Sequence, residues 1–390
     1  SNRTTTWVVF PKTFYGQETE ESQNKRLVST QWAQPAIGAA SLALYKQLTE
    51  LGVQADCLGG HSFGEVTALH AAGVLDAESM LKVARKRGEL MNEAASTPGS
   101  MTAASADIAT LREIVKSSGI EVVVANHNGP KQVVMSGSTE AIEAFEGVLK
   151  DKGITARRLP VATAFHSKIV SPSSKPFGKF LDSIQFSKAK IPVYANSEAA
   201  PYPTGAGKMR SILAQQIANP VRFVEQIEAM YDSGVRTFIE VGPGSVLTKL
   251  VGRILGDREH QVINLDQKGK NGVASFHNGI GRLAIAGIEL KLEKLWAEYR
   301  EVEDPRLAKK APFSVDINGA CYGKPYPPLG GAAALPGPNP EEAPAAKAPA
   351  PVEAPAPVAA AAPTQKPSPA PVTAAPQVQA TPPQPAPAAI

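Results

Sequence analysis

The chain has 390 residues, two cysteines and a formal charge of only +4. So mild a charge, with no Lys/Arg-rich block interleaved with aromatics, argues against a nucleic-acid partner. The absence of a signal peptide and of any apolar run of about 18 residues points to a soluble chain with no membrane partner. Cys57 and Cys321 have neither metal-ligand nor disulfide spacing, which suggests a reducing cytoplasm and no metal centre.

The chain begins Ser1-Asn2-Arg3 and ends in a low-complexity tract, so it reads as a fragment of a larger polypeptide. Trp7-Val8-Val9-Phe10 has the texture of a short strand. Residues 34–51 carry a helical pattern closed by Gly52, and 53–58 suit a short buried strand. Gly60-His61-Ser62-Phe63-Gly64 follows, then helix formers over 65–72 and a second helix over 77–95. This is a Gly-x-Ser-x-Gly pattern in its strand–turn–helix context, with a β-carbon on either glycine expected to clash.

From residue 99 the texture changes. Strands are expected over 101–104, 121–126, 132–136 and 156–161, and helices over 106–118 and 139–152, with a turn at Asn128-Gly129-Pro130. The order β-α-β-β-α-β is that of a ferredoxin-like unit, inserted here into an α/β core. Short apolar strands at 191–196 and 237–241 return to that core, with a helix over 226–232 between them. Gly242-Pro243-Gly244 lacks the remaining residues of a nucleotide loop and reads as a tight turn into a helix starting at Val246. A helix over 292–300 and an irregular linker over 313–328 close the globular part. Beyond it, residues 331–390 hold no aromatic residue and about half of the 34 prolines, a composition that cannot bury a core. The division expected is therefore core 1–98, insertion 99–161, core 162–290, linker 291–330 and tether 331–390.

Ser62 would sit exposed at a helix N-terminus, near backbone N–H groups that can stabilise an oxyanion. A serine nucleophile needs a base, and histidine is the usual one. His61 adjoins the serine and reads as structural. His70 lies too far along the elbow helix, His127 reads as a polar loop residue, and His260 and His277 lack supporting context. His166, where the insertion ends, is either that base or a hydrogen-bonded loop histidine. Arg87 belongs to a charged run that would ordinarily face solvent, yet its spacing from Val83 and Met91 puts it on the apolar side of its helix. A substrate carboxylate is one partner for such a guanidinium.

Five motifs now stand in order: Gly60-His61-Ser62-Phe63-Gly64-Glu65, Arg87-Gly88, Ala164-Phe165-His166-Ser167, Asn219-Pro220-Val221 and Glu240-Val241-Gly242-Pro243-Gly244. Together, from about Gln34 to Leu255, they resemble the malonyl-CoA:acyl carrier protein transacylases, including the acyltransferase domains of polyketide synthases. The resemblance implies an α/β-hydrolase-like core with a ferredoxin-like insertion. It implies that Ser62 is acylated, His166 is its base, and Arg87 binds the malonyl carboxylate. It implies that the Gln216 backbone carbonyl orients the histidine and Phe63 gives one oxyanion donor. Phe165 before the histidine goes with malonyl rather than methylmalonyl units, because its ring leaves no room for an α-methyl group. No resident cofactor is implied: malonyl-CoA is substrate, and the phosphopantetheine belongs to a partner acyl carrier protein.

Gln34-Pro35-Ala36-Ile37-Gly38 and Gly323-Lys324-Pro325-Tyr326-Pro327 are similar to iterative enzymes of the polyunsaturated fatty acid synthase and enediyne type. In that setting a ketosynthase would precede this region, and the tether would lead into carrier domains. One departure stands out. Lys12 follows Pro11 where the family continues into Gly-Gln-Gly, so the second oxyanion donor is expected to be missing from this chain. Two other readings of the same residues are a serine esterase, which shares the elbow, and an inactive platform that docks a carrier.

Overall fold

The computed structural model describes residues 19–161 and 163–297, with Val9 and residues 329–334. The chain divides into two units, Ser1–Tyr299 with the terminal Ile390, and Arg300–Ala389. In the second, one 3-10 turn is described, Gly331–Ala334. The expected linker over 313–328 and most of the tail lie outside the described residues, as does the expected strand over 7–10 save for Val9, which is helical.

In the first unit, α1 (Glu20–Val28) leads into α2 (Thr30–Glu50), which starts four residues earlier than the apolar pattern suggested. Pro35 lies inside α2 and has no N–H to give Gln31. The Arg85 guanidinium donates to that freed carbonyl at 3.1 Å and lies 4.1 Å over the Trp32 ring. The strand expected over 53–58 shrinks to β1 (Leu58–Gly59), because Gln54 and Asp56 face solvent. Then come α3 (Gly64–Ala71) and α4 (Ala77–Ala94), whose Asp76 cap accepts from the Ser79 N–H at 2.6 Å. α2 and α4 cross where Gly88 leaves no room for a side chain: a Cβ there would lie 2.3 Å from the Thr30 carbonyl oxygen.

Next come β2 (Ser100–Ala104), α5 (Ile108–Ser118), β3 (Val122–Gly129), β4 (Gln132–Gly137), α6 (Thr139–Asp151) and β5 (Ala156–Arg158). The four strands form one antiparallel sheet in the order β3-β4-β2-β5, with its own core of Leu111, Met135, Ile142, Phe145 and Leu149. The largest departures from the expected boundaries fall at two strand ends. β5 stops at Arg158, and β3 continues through two register shifts to Gly129, so the turn falls later and His127 lies in a strand.

The chain returns through α7 (Ser174–Asp182), β6 (Val193–Ala195), β7 (Ala200–Pro201), α8 (Ala206–Gln216) and α9 (Phe223–Asp232). β6 pairs parallel with β1 and antiparallel with β7. Finally β8 (Thr237–Glu240), α10 (Val246–Leu255), β9 (Gln261–Asn264) and α11 (Gly272–Ile285) make a second parallel pair with its crossover helix. Glu240 accepts from the Leu247 and Thr248 N–H groups, and Asp266 accepts from the Gly244 N–H, so carboxylates of the chain itself fill the start of α10. Of the helix expected over 292–300, a 3-10 turn at Leu292–Trp296 is described. No helix among the described residues is long and apolar enough to cross a membrane.

Candidate active site

Ser62 occupies the turn between β1 and α3 with φ +50°. A non-glycine residue there costs on the order of 1–3 kcal/mol and persists only where its surroundings fix it. Gly60 makes the turn possible: a Cβ on it would fall 2.0 Å from the Gly64 carbonyl carbon. The clash expected at Gly64 is absent, since nothing lies within 4 Å of a Cβ there. The Phe63 N–H donates to no described residue and lies at the start of α3, where an anion is favoured.

His166 comes from the irregular segment after β5 and also has a left-handed backbone, φ +55°. Its Nε2 lies 2.9 Å from Ser62 Oγ. Its Nδ1 faces two carbonyl oxygens, Asn219 at 2.9 Å and Gln216 at 3.2 Å. A carbonyl can only accept, so Nδ1 carries the proton and Nε2 is free to take one from the serine. Burial, helped by the positive charge of Arg87 and by His61, holds the imidazole down at about 3, so it is neutral near pH 7. The orienting carbonyl was expected from Gln216 alone. Asn219 shares that contact and is the nearer acceptor.

Arg87, on α4, is 1% exposed. Nη1 donates to Gln34 Oε1 at 3.0 Å, and Nη2 donates to Gln216 Oε1 at 3.0 Å and Ser62 Oγ at 3.2 Å. Nε has no partner. The serine hydroxyl can thus donate to His166 while accepting from Arg87. Burial lowers the guanidinium to about 10, against the opposing pull of Glu65, and it stays charged at neutral pH. No carboxylate among the described residues hydrogen-bonds it.

Glu65 is fully buried in the first turn of α3. Burial pushes its carboxyl up to about 7, against the Tyr202 hydroxyl and the Asn196 N–H, both of which donate to it. Phe165 is partly buried and packs against Met101, Ala125 and Val134 of the antiparallel sheet. His61 Nε2 lies 2.7 Å from Asn128 Oδ1, and its ring meets Phe223 edge-on at 5.3 Å. His127, expected in a loop, is buried in β3 with Nδ1 3.1 Å from Glu225 Oε2. His70 Nδ1 pairs with the Leu75 carbonyl, away from Ser62.

The fold therefore brings Ser62, His166, Arg87 and Gln216 together. Sequence reasoning missed the side-chain parts of Gln34, Gln216 and Asn196, and the part of Glu65. The available signal was an uncharged amide in an apolar run, as at Gln34 before Pro35-Ala36-Ile37 and Asn196 after Pro192-Val193-Tyr194-Ala195. Among the described residues no group of three or more His, Cys, Asp or Glu is placed to hold a metal ion.

Residues 17–290 match the family model described as the acyl transferase domain. The polyketide biosynthesis malonyl CoA-acyl carrier protein transacylase BaeC of Bacillus velezensis is 39% identical over 244 residues, covering 61% of this chain and 83% of that protein. A polyunsaturated fatty acid synthase polypeptide of Thraustochytrium is 28% identical over 322 residues, 81% of this chain, but the match spans only 11% of that much longer protein. A solved complex of a type II polyketide synthase acyl carrier protein with its malonyl-transacylase matches with TM-score 0.63 and 29% identity, covering 71% of this chain and 89% of that one.

Proposed function

Since the chain belongs to the acyl transferase domain family, we propose that it moves a malonyl group from malonyl-CoA, through an ester on Ser62, to the phosphopantetheine thiol of an acyl carrier protein. One observation carries the choice of acyl group: a buried Arg87 guanidinium lies 3.2 Å from the Ser62 hydroxyl and, among the described residues, is hydrogen-bonded only to neutral groups. A free carboxylate on the acyl group is the partner that such a cation favours. The relatives named for malonyl transfer, and the neighbour solved with a carrier protein, support the same reading.

In the first half-reaction His166 Nε2 takes the Ser62 proton while Oγ attacks the thioester carbonyl. The oxyanion forms beside the Phe63 N–H. The C–S bond breaks, and CoA leaves as the thiol with the proton returned by His166. The carrier thiol then attacks the serine ester, again giving its proton to His166, which restores the Ser62 hydroxyl. The Phe165 ring beside the histidine favours malonyl over methylmalonyl.

The unit from β2 to β5 reads as the ferredoxin-like insertion: its strand order β3-β4-β2-β5 and two helices support this. The two parallel strand pairs read as parts of an α/β-hydrolase-like core. On this reading residues 1–98 and 162–290 form the core, 99–161 the insertion, 291–330 a linker and 331–390 a tether toward carrier domains. The likeness to a much longer polyunsaturated fatty acid synthase polypeptide supports a multidomain parent; the same reading puts a ketosynthase ahead of this region.

An esterase would place a carboxylate on the histidine, whereas His166 Nδ1 faces the carbonyls of Gln216 and Asn219. The test is intact-mass and peptide mapping of the chain after malonyl-CoA, then after addition of a phosphopantetheinylated carrier. A malonyl adduct on Ser62 that moves to the carrier is expected. Release of malonate without transfer would establish the esterase reading instead, and no adduct at all would leave only the docking platform.

A further inference from the structure

Ser62 has an unfavourable backbone, and what holds it there is a side chain from a segment distant in sequence. Asn196, just after β6, is wholly buried. Its Oδ1 accepts from the Ser62 N–H at 2.7 Å, and its Nδ2 donates to the Gly60 carbonyl at 2.5 Å. An N–H can only donate and a carbonyl can only accept, so this pair fixes which way the amide faces. The orientation is secured from outside as well. Gln226 Oε1 accepts from Nδ2 at 2.7 Å, and Gln216 Nε2 donates to Oδ1 at 3.2 Å. The Asn196 backbone N–H donates to Glu65 Oε2 at 2.7 Å, and its carbonyl accepts from the Arg222 N–H at 3.0 Å.

We propose that Asn196 is the positioning residue of the nucleophile: its amide clamps the Gly60 and Ser62 backbone, and the buried Glu65 carboxyl holds Asn196 in place. The inference rests on Ser62 being the nucleophile of the proposed function. Clamping the backbone at two points aims the Ser62 hydroxyl at His166 Nε2 and turns the following Phe63 N–H toward the reacting carbonyl. Unlike Arg87, Asn196 hydrogen-bonds neither the serine hydroxyl nor the histidine, so it acts through geometry.

The experiment uses the full chain and three variants, with two readouts. The first is hydrogen exchange over residues 60–64, which reads the clamp itself. The second is the single-turnover rate constant and amplitude for labelling Ser62, by malonyl-CoA and separately by a fluorophosphonate. Asn196→Ala should speed exchange of the Ser62 amide at least tenfold. It should also slow both labelling reactions by about ten- to a hundredfold at unchanged amplitude. Glu65→Gln can still accept from the Asn196 N–H while its amide donates to the Tyr202 hydroxyl, and should stay within about threefold of the parent.

If Asn196→Ala fails to fold, Asn196→Asp keeps the acceptor for Ser62 and loses the donor to Gly60. Its labelling rate relative to the parent should rise as pH falls and the buried acid regains a donor proton, with Glu65, Arg87 and His166 the ionisable groups around it. Unchanged exchange in Asn196→Ala overturns the proposal. So does faster exchange with an unchanged rate constant, or reduced amplitude at the parent's rate, which marks only a damaged fold. For Asn196→Asp, a ratio to the parent that is flat with pH does the same. Loss of malonyl labelling in the parent with fluorophosphonate labelling intact would refute the substrate reading, while the fluorophosphonate comparison still decides the clamp.

Discussion

Arg87 has given up its hydration without gaining a hydrogen-bonded counter-ion among the described residues, and Gln34 and Gln216 hold its two terminal nitrogens in a fixed plane. Replacing it by Ala should lower kcat/KM for malonyl-CoA by about ten- to a hundredfold, the worth of hydrogen bonds to a charged group, and shift preference toward acetyl-CoA. Arg87→Lys should not restore it, because a point charge cannot span two glutamine oxygens. Competition between the two thioesters reads both effects. His166 is neutral down to about 3. The acid limb of kcat/KM should therefore lie below pH 5 rather than in the usual histidine range, as a pH profile of the acylation step will show.

Glu65 and His166 pull stability in opposite directions. Folding raises the Glu65 carboxyl from 4.5 to about 7, so its contribution is whole below pH 4.5 and is lost as pH rises through 7. Folding lowers His166 from 6.5 to about 3, so its contribution is whole above pH 6.5 and is lost as pH falls. Glu65→Gln removes the first effect. Relative to the parent it should gain stability between pH 4.5 and 7, by something on the order of 3 kcal/mol at the upper end. Thermal melts of both proteins at pH 5 and pH 8 measure the difference.

At the scale of elements, the site depends on how closely α2 and α4 approach. Gly88 adjoins Arg87 in sequence, its carbonyl accepts from Thr30 Oγ1 at 2.7 Å, and a Cβ on it would meet the α2 backbone. Gly88→Ala should destabilise the chain by about 1–3 kcal/mol in denaturant melts. It should also weaken malonyl selectivity, since Gln34 moves with α2. The elbow, the Arg87 helix and the elements of the antiparallel sheet were legible because their signals are local: glycines at a turn, an Asp76 cap, clear periodicity in α5 and α6. α7, α8, α11 and β9 were not. α7, α8 and α11 each contain glycine, and β9 is four residues with an exposed start. The parts played by Asn196 and Gln34 were hidden for another reason. Their meaning comes from partners 134 and 53 residues away, and no local pattern records such a pairing.

Across the first unit, the antiparallel sheet is tied to the elbow region. The Val221 N–H donates to the Ala125 carbonyl and the His127 N–H to the Val221 carbonyl, so β3 braces the segment that also presents Asn219 to His166. Asn128 reaches His61, beside the nucleophile. Asn128→Ala should therefore slow acylation by about three- to tenfold, the worth of one ordinary hydrogen bond, and leave the malonyl-to-acetyl preference unchanged. A change in that preference would show that the sheet shapes the carboxylate site rather than bracing it. The network around Ser62 reaches, through Arg87 and Asn196, residues as far apart along the chain as Gln34 and Gln226. During synthesis the serine leaves the ribosome long before His166, Asn196, Gln216 and Asn219 exist. A nascent chain halted before Asn196 would carry the complete Gly-x-Ser-x-Gly sequence, Arg87 and His166, yet lack the amide that bonds the Gly60 and Ser62 backbone.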